Sequence, residues 1–151
     1  MPKSLLIVAH APSANTQALQ KAILKGSEKS SCAVTLLSPF DTHPENILEC
    51  DAIILFTPEN LGYMAGAIKD MFDRCYYPVL EEKQGLPVAA IIRAGHDGTG
   101  TVRALQTIIT GLRWRWVQEP LVLKGDFDES FIEDAGELAQ AIAIALEEGM
   151  I

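Results

Sequence analysis

Basic residues are scarce: 12 Lys and Arg stand against 20 Asp and Glu, a formal net charge of −8. Association with phosphate backbones or anionic lipid is driven by basic patches, so nucleic acid is excluded as an expected partner. No run reaches the roughly 18 consecutive apolar residues of a membrane span, and none is expected. Cysteine is sparse too. Cys32, Cys50 and Cys75 are odd in number and widely spaced, with no C-x-x-C pair, which argues against a disulfide framework or a zinc site. Free thiols in apolar segments act as small hydrophobes, and a reduced, cytoplasmic setting is expected. Lys3, the apolar run Leu5–Ala9 and the A-x-A-like Ala9-His10-Ala11 superficially imitate a secretory signal, but the apolar run is too short for one. Two nucleotide motifs are missing. There is no G-x-x-x-x-G-K-[ST], and no G-x-G-x-x-G follows the first apolar run.

What is present is a core. The chain has 151 residues, of which 48% are hydrophobic and 21% charged, enough for a single domain over residues 1–151. Five times a short apolar run gives way to a Gly, Pro, Ser or Thr cluster and usually to a segment of helical period. The runs are Ser4–Ala9, Ala33–Leu37, Ala52–Phe56, Val88–Arg93 and Pro120–Leu123. Most are continuously hydrophobic, as strands covered on both faces are. Between them, apolar residues recur at three- and four-residue spacing, as in Met64, Ile68, Met71, Phe72 and Cys75. Pro44–Leu48 leaves room for one helical turn. Right-handed βαβ crossovers then predict a three-layer, doubly wound α/β fold with a five-stranded parallel sheet in the order 2-1-3-4-5. Ligands of such sheets bind outside the carboxyl ends of the strands, where the winding reverses.

Three segments stand at those ends. Ala11–Gln17 is rich in small and hydroxylic residues. The N-terminus of the helix it opens offers unpaired N–H groups and a positive dipole end, so Ser13, Ala14, Asn15 and Thr16 are candidates to hold a phosphate without Lys or Arg. Ser and Asn are also preferred helix caps, so an ordinary capped start is the alternative. Thr57–Met64 offers Pro58, Glu59, Asn60, Leu61, Gly62 and Tyr63. It is more apolar than a solvent loop requires, which suits a flat ring lying against it, or a loop anchored to the core. Ala94–Thr101 carries Gly95, His96, Gly98 and Gly100, whose backbone could direct N–H groups at a polar ligand.

Asp51–Arg74, read through T-P-E-N-L-G-Y-M and on to Lys69, Asp73 and Arg74, resembles the strand, flavin loop and following helix of the flavodoxin superfamily, especially its NAD(P)H-dependent FMN and quinone reductases. Ser13, Asn15 and Thr16 match that superfamily's phosphate loop in part, with Ala11 and Ala14 departing from it. The resemblance implies FMN held by Ser13–Thr16, Pro58–Tyr63 and Gly95–Gly100. It also implies hydride transfer from NAD(P)H through the flavin to a quinone, flavin or similar small-molecule acceptor. A flavodoxin-type carrier passing electrons to a redox partner protein is the alternative. No catalytic side chain is required, because the cofactor carries the chemistry. Lys69 and Asp73 are expected to pair along one helix face. A phosphoacceptor receiver domain shares the winding, but it needs acidic residues where this chain has Ala9-His10-Ala11 and Phe56-Thr57-Pro58. Homo-oligomerisation stays open: Trp114, Trp116, Tyr76 and Tyr77 could form an apolar patch, or could pack within the domain.

Overall fold

The computed structural model describes residues 1–151. Its central strands are β1 (Ser4–Ala9), β2 (Ala33–Leu37), β3 (Ala52–Asn60), a short β4 (Tyr63–Met64), β5 (Pro87–Ala94), a short β6 (Arg115–Trp116) and β7 (Leu121–Lys124). Helices are α1 (Ala14–Ser27), α2 (Pro44–Glu49), α3 (Gly66–Leu80), α4 (Thr99–Leu112) and α5 (Glu129–Glu147), with a 3-10 turn at Pro39–Asp41. The parallel order is β2-β1-β3-β5, and β6 and β7 share the outer edge of β5. That is the expected 2-1-3-4-5 winding with its last strand in two pieces: β6 pairs at Pro87 and Val88, β7 at Ile91 to Ala94.

Alternation along each strand supplies both faces of the sheet. Leu6, Val8, Ile53, Leu55, Ala90 and Ile92 pack toward α3 and α4, against Met71, Phe72, Leu105 and Ile109. Leu5, Ile7, Ile54, Phe56, Ala89 and Ile91 pack toward α1 and α5, against Leu19, Ile23, Ala139 and Ile142. A strand that must be apolar on both sides reads as an unbroken hydrophobic run, which is why the sequence shows no alternation. Burying such a side chain is worth about 1.5–3 kcal/mol, and this double core holds the strand ends in place. α1 and α5 approach so closely that a Cβ on Gly26 would collide with the Gly136 carbonyl oxygen.

One expectation is corrected and one open alternative is decided. Thr57–Met64 is not a plain loop: β3 continues through Asn60 and turns back as an antiparallel hairpin, pairing Glu59 with Met64 and Asn60 with Tyr63. Nor do Trp114, Trp116, Tyr76 and Tyr77 form one surface patch. Trp114 is 6% exposed and sits in the core beside Phe72, ring centroids 6.2 Å apart, whereas Tyr77 is 79% exposed.

Candidate functional site

The carboxyl ends of β1, β3 and β5 carry three segments whose local chemistry differs. After β1, the chain enters α1 through a capping box. Thr16 N–H donates to Ser13 Oγ at 3.2 Å, Ser13 N–H donates to Thr16 Oγ1 at 2.9 Å, and the two hydroxyls lie 2.9 Å apart. Thr16 Oγ1 also donates to Ser13 O at 3.0 Å, so Thr16 is turned inward and buried. What remains at the helix end are the backbone N–H groups of Ala14 and Asn15, exposed and without a partner in the chain. Both hydroxyls therefore shape the turn, and two amides plus the positive dipole end face solvent.

The second segment is the β3–β4 hairpin. Its tip holds Leu61 at φ +52° and Gly62 at φ +76°, the successive positive values of a type I′ turn. Thr57 anchors its base: the hydroxyl donates to Pro58 O at 2.8 Å and accepts from Ala65 N–H at 3.0 Å, just before α3. Leu61 is wholly exposed, 105%, and Tyr63 is 40% exposed, so the hairpin presents apolar surface at the strand ends. Sequence reasoning passed over Thr57, although its hydroxyl beside Pro58 in a buried strand was a visible sign that it serves the backbone.

The third segment, after β5, leads into α4 through Gly98 at φ +70°. His96 N–H donates to Glu59 Oε1 at 3.1 Å and Thr99 N–H to Asp97 Oδ1 at 3.0 Å. The Thr99 backbone N–H holds the exposed Asp97 carboxyl below its usual range. Gly95, Asp97 and Gly98 keep N–H groups with no partner, and the space a Gly95 Cβ would enter is open. The hairpin and this loop meet, since a Cβ on Gly100 would strike the Gly62 carbonyl oxygen.

Taken together, the residues expected at the site are brought to one end of the sheet. Ser13 and Thr16 are there as shapers of the turn, Ala14 and Asn15 as backbone donors. Pro58 to Tyr63 form one wall, and Gly95, His96, Gly98 and Gly100 belong to the other. No Lys or Arg occurs in residues 11–17, 57–64 or 94–101. Lys69 and Asp73 pair at 2.6 Å along α3, and that hydrogen bond raises the Lys69 pKa. Arg74 bonds Asp70, Pro39 O and Thr42 O, so both basic residues of the helix motif are structural. No group of His, Cys, Asp and Glu side chains is arranged to hold a metal ion, and no helix is long and apolar enough to cross a membrane. The largest surface depression, about 660 Å³, lies elsewhere, between the Lys21 and Lys25 rim of α1 and the Glu133 and Glu137 rim of α5. Its rims are solvated charges and small residues such as Ala18, Ala22 and Gly136 line it between them, with no cluster of free backbone donors, so the donor chemistry at the strand ends is the better guide to function.

Residues 40–128 match the family model of NADPH-dependent FMN reductases, a span that includes the hairpin, the glycine loop and β5 to β7. The chain belongs to the NADPH-dependent FMN reductase family. The family's match begins after the α1 turn. Solved structures share the fold at low identity. A flavodoxin from the domain Archaea superposes with a TM-score of 0.81 at 19% identity, over 95% of this chain and 98% of that one. A flavodoxin, WrbA-like protein from Agrobacterium tumefaciens gives 0.76 at 15%, over 98% and 99%. Rubredoxin oxygen:oxidoreductase from Desulfovibrio gigas gives 0.80 at 19%, over 99% of this chain and 37% of that one. No curated protein sequence matches.

Proposed function

We propose that this chain holds FMN at the carboxyl ends of β1, β3 and β5 and uses it as an NAD(P)H-dependent oxidoreductase toward a quinone, a flavin or another small acceptor. The observation that carries the reading is the pair of unpartnered Ala14 and Asn15 N–H groups at the start of α1, at the same end of the adjacent strands β1, β3 and β5 as an apolar hairpin and a glycine loop. That donor set fits a phosphomonoester joined to a planar ring. A dianion is accommodated by amides and the helix dipole where basic side chains are absent. Ser13 and Thr16 hold the turn so that the two amides are preset. Pro58, Leu61 and Tyr63 exclude water from one side of the ring, and the free N–H groups of Gly95, Asp97 and Gly98 suit its carbonyl-bearing edge.

FMN, when bound, supplies the electron chemistry, and the chain's task is to orient it and limit access. Residues 94–101 contain no Phe, Tyr or Trp to cover the ring, which leaves room for a nicotinamide. This, with the family's description, supports the enzyme over the carrier. The exposed Leu61 and Tyr63 in an acidic protein also suit docking of a basic redox partner, so the carrier remains the second reading. A titration of FMN with protein, followed by quenching of flavin fluorescence, tests the cofactor. Stopped-flow bleaching of the loaded protein by NADPH and NADH tests the reaction. Unquenched FMN in excess protein removes the proposal, and a flavin that neither nucleotide bleaches leaves the carrier.

A further inference from the structure

We infer that Glu59 is a positioning residue of the flavin pocket: its carboxylate clamps the glycine loop to the hairpin through the His96 N–H and sets a negative charge beside the ring. The inference rests on the FMN reading above. The parallel ladder between β3 and β5 ends at Pro58 and Arg93. Beyond that point no backbone hydrogen bond joins the two walls, and the loop of residues 95–98 has no ladder to hold it against the hairpin. On its far side the loop is fixed where Gly125 N–H donates to Ala94 O and where Gly98 packs against Val122, and toward the hairpin it is held at two places. One is the Glu59 Oε1 to His96 N–H bond at 3.1 Å, between residues 37 apart in the chain. The other is the packing of Gly100 beneath the Gly62 carbonyl. The unpartnered N–H groups of Asp97 and Gly98 lie between these two anchors and that of Gly95 directly before the first, so the clamp bears on where those donors point.

An exposed hydrogen bond to a carboxylate contributes little to global stability, so its consequence is local. Asp97 places a second carboxylate in the glycine loop, committed to Thr99 N–H; no Lys or Arg lies in the three segments, and Arg93, just before the loop, donates to Ala94 O and Leu123 O. Extra electron density on a ring held there is disfavoured by like charge. Glu59 therefore does two separable things: it fixes the loop by accepting a hydrogen bond, and it holds the flavin's potential down by being charged.

Glu59→Gln and Glu59→Ala separate them. The amide oxygen of Gln accepts from His96 N–H without the charge, whereas Ala does neither. Amide hydrogen exchange at His96 in the FMN-free protein is expected to speed up about tenfold or more in E59A and to stay near wild type in E59Q. FMN binding is expected to weaken about tenfold in E59A and to stay within about threefold in E59Q. In E59Q the ratio of reduced to oxidised FMN affinity rises about tenfold, which for a two-electron couple moves the midpoint potential up by about 30 mV. Unchanged His96 exchange in E59A overturns the clamp, and E59A binding FMN as tightly as wild type overturns its role in the pocket. An E59Q potential equal to wild type overturns the electrostatic half. Wild-type protein that leaves FMN unquenched overturns the flavin reading instead, and the exchange comparison then decides the clamp by itself.

Discussion

The carbonyl oxygen of Gly62 rests against the Cα of Gly100, so the tip of the β3–β4 hairpin closes on the first turn of α4 with no room for a side chain between them. Gly100 is helical and Gly95 is not, yet only the former is sterically committed: the position of a Gly95 Cβ is open. Gly100→Ala must push the hairpin away and is expected to cost about 1–3 kcal/mol, as overpacking does, and to weaken FMN binding by opening the crevice. Gly95→Ala should change stability by less than about 0.5 kcal/mol. Urea unfolding of the two variants, with FMN titrations beside them, checks the contrast. Equal stabilities for the two would show that the hairpin does not bear on α4.

Cys50 gives a pH signature. Its Sγ is buried and donates to Ile47 O at 3.2 Å. Burial pushes the thiol pKa up from 9.0 to about 11, against a smaller lowering by Lys83. The folded state thus keeps a proton that the unfolded chain releases, so stability is intact below pH 9 and declines as pH rises toward 11. The slope approaches about 1.4 kcal/mol per pH unit, a loss of roughly 2 kcal/mol across that window. Cys50→Ala leaves a small cavity that lowers stability at every pH, but its decline between pH 9 and 11 should be shallower than wild type by that amount. Parallel urea curves at each pH, with parallel declines in the two proteins, would contradict this.

Arg74 ties the 3-10 turn to α3. Its guanidinium donates to Thr42 O at 2.9 Å, Pro39 O at 2.8 Å and Asp70 Oδ2 at 2.8 Å, a fork only arginine can supply. Phe40, 61% exposed, sits on that turn and packs edge-on against His10, ring centroids 6.5 Å apart. Arg74→Ala is expected to cost about 2–3 kcal/mol, because hydrogen bonds from a charged group to buried carbonyls are among the stronger ones. Arg74→Lys should recover less than half of it. Thermal unfolding measures both, and full recovery by lysine would reduce the role of Arg74 to charge alone.

The layers and winding of the fold were legible because each strand needed hydrophobic residues on both faces, and runs such as Ile53-Ile54-Leu55-Phe56 carry that demand in consecutive letters. The hairpin was not legible. Pro58 and Gly62 read as loop chemistry, and a leucine at the first positive-φ position of a type I′ turn runs against preference, so the local signal pointed away from β structure. Ser13 and Thr16 stand at the start of α1 as read, but one-dimensional reading cannot tell a hydroxyl aimed at a ligand from one aimed at its neighbour. Here the two aim at each other, and the backbone N–H groups of Ala14 and Asn15, which the helix start had also offered, are left free. The Glu59 to His96 bond joins residues 37 apart and has no periodic or spacing signature at all. Gly26 and Gly136 did leave a sign, since a glycine inside a helical stripe is costly unless a neighbour approaches closely, as α5 does.

Leu61 combines the two costs that local structure avoids. Its φ of +52° puts an L side chain in the left-handed region, at roughly 1–2 kcal/mol, and its complete exposure returns no packing energy. Asparagine adopts that backbone far more readily, and Asn-Gly is the preferred pair for a type I′ turn. Leu61→Asn is therefore expected to raise unfolding stability by about 0.5–1 kcal/mol. A residue kept against such a gradient points to use of its side chain, since strain of this kind persists where function needs it. At the lip of the crevice that use is apolar contact, with the ring or with the acceptor. L61N should accordingly lower the affinity for FMN or raise KM for an apolar quinone by about threefold to tenfold, the worth of one aliphatic contact. Leu61→Met, which keeps the apolar surface, should lose little of either. A stabilised L61N with unaltered FMN affinity and unaltered KM would leave the leucine as turn strain without a purpose, and a destabilised one would show that the tip is held by contacts its exposure does not suggest.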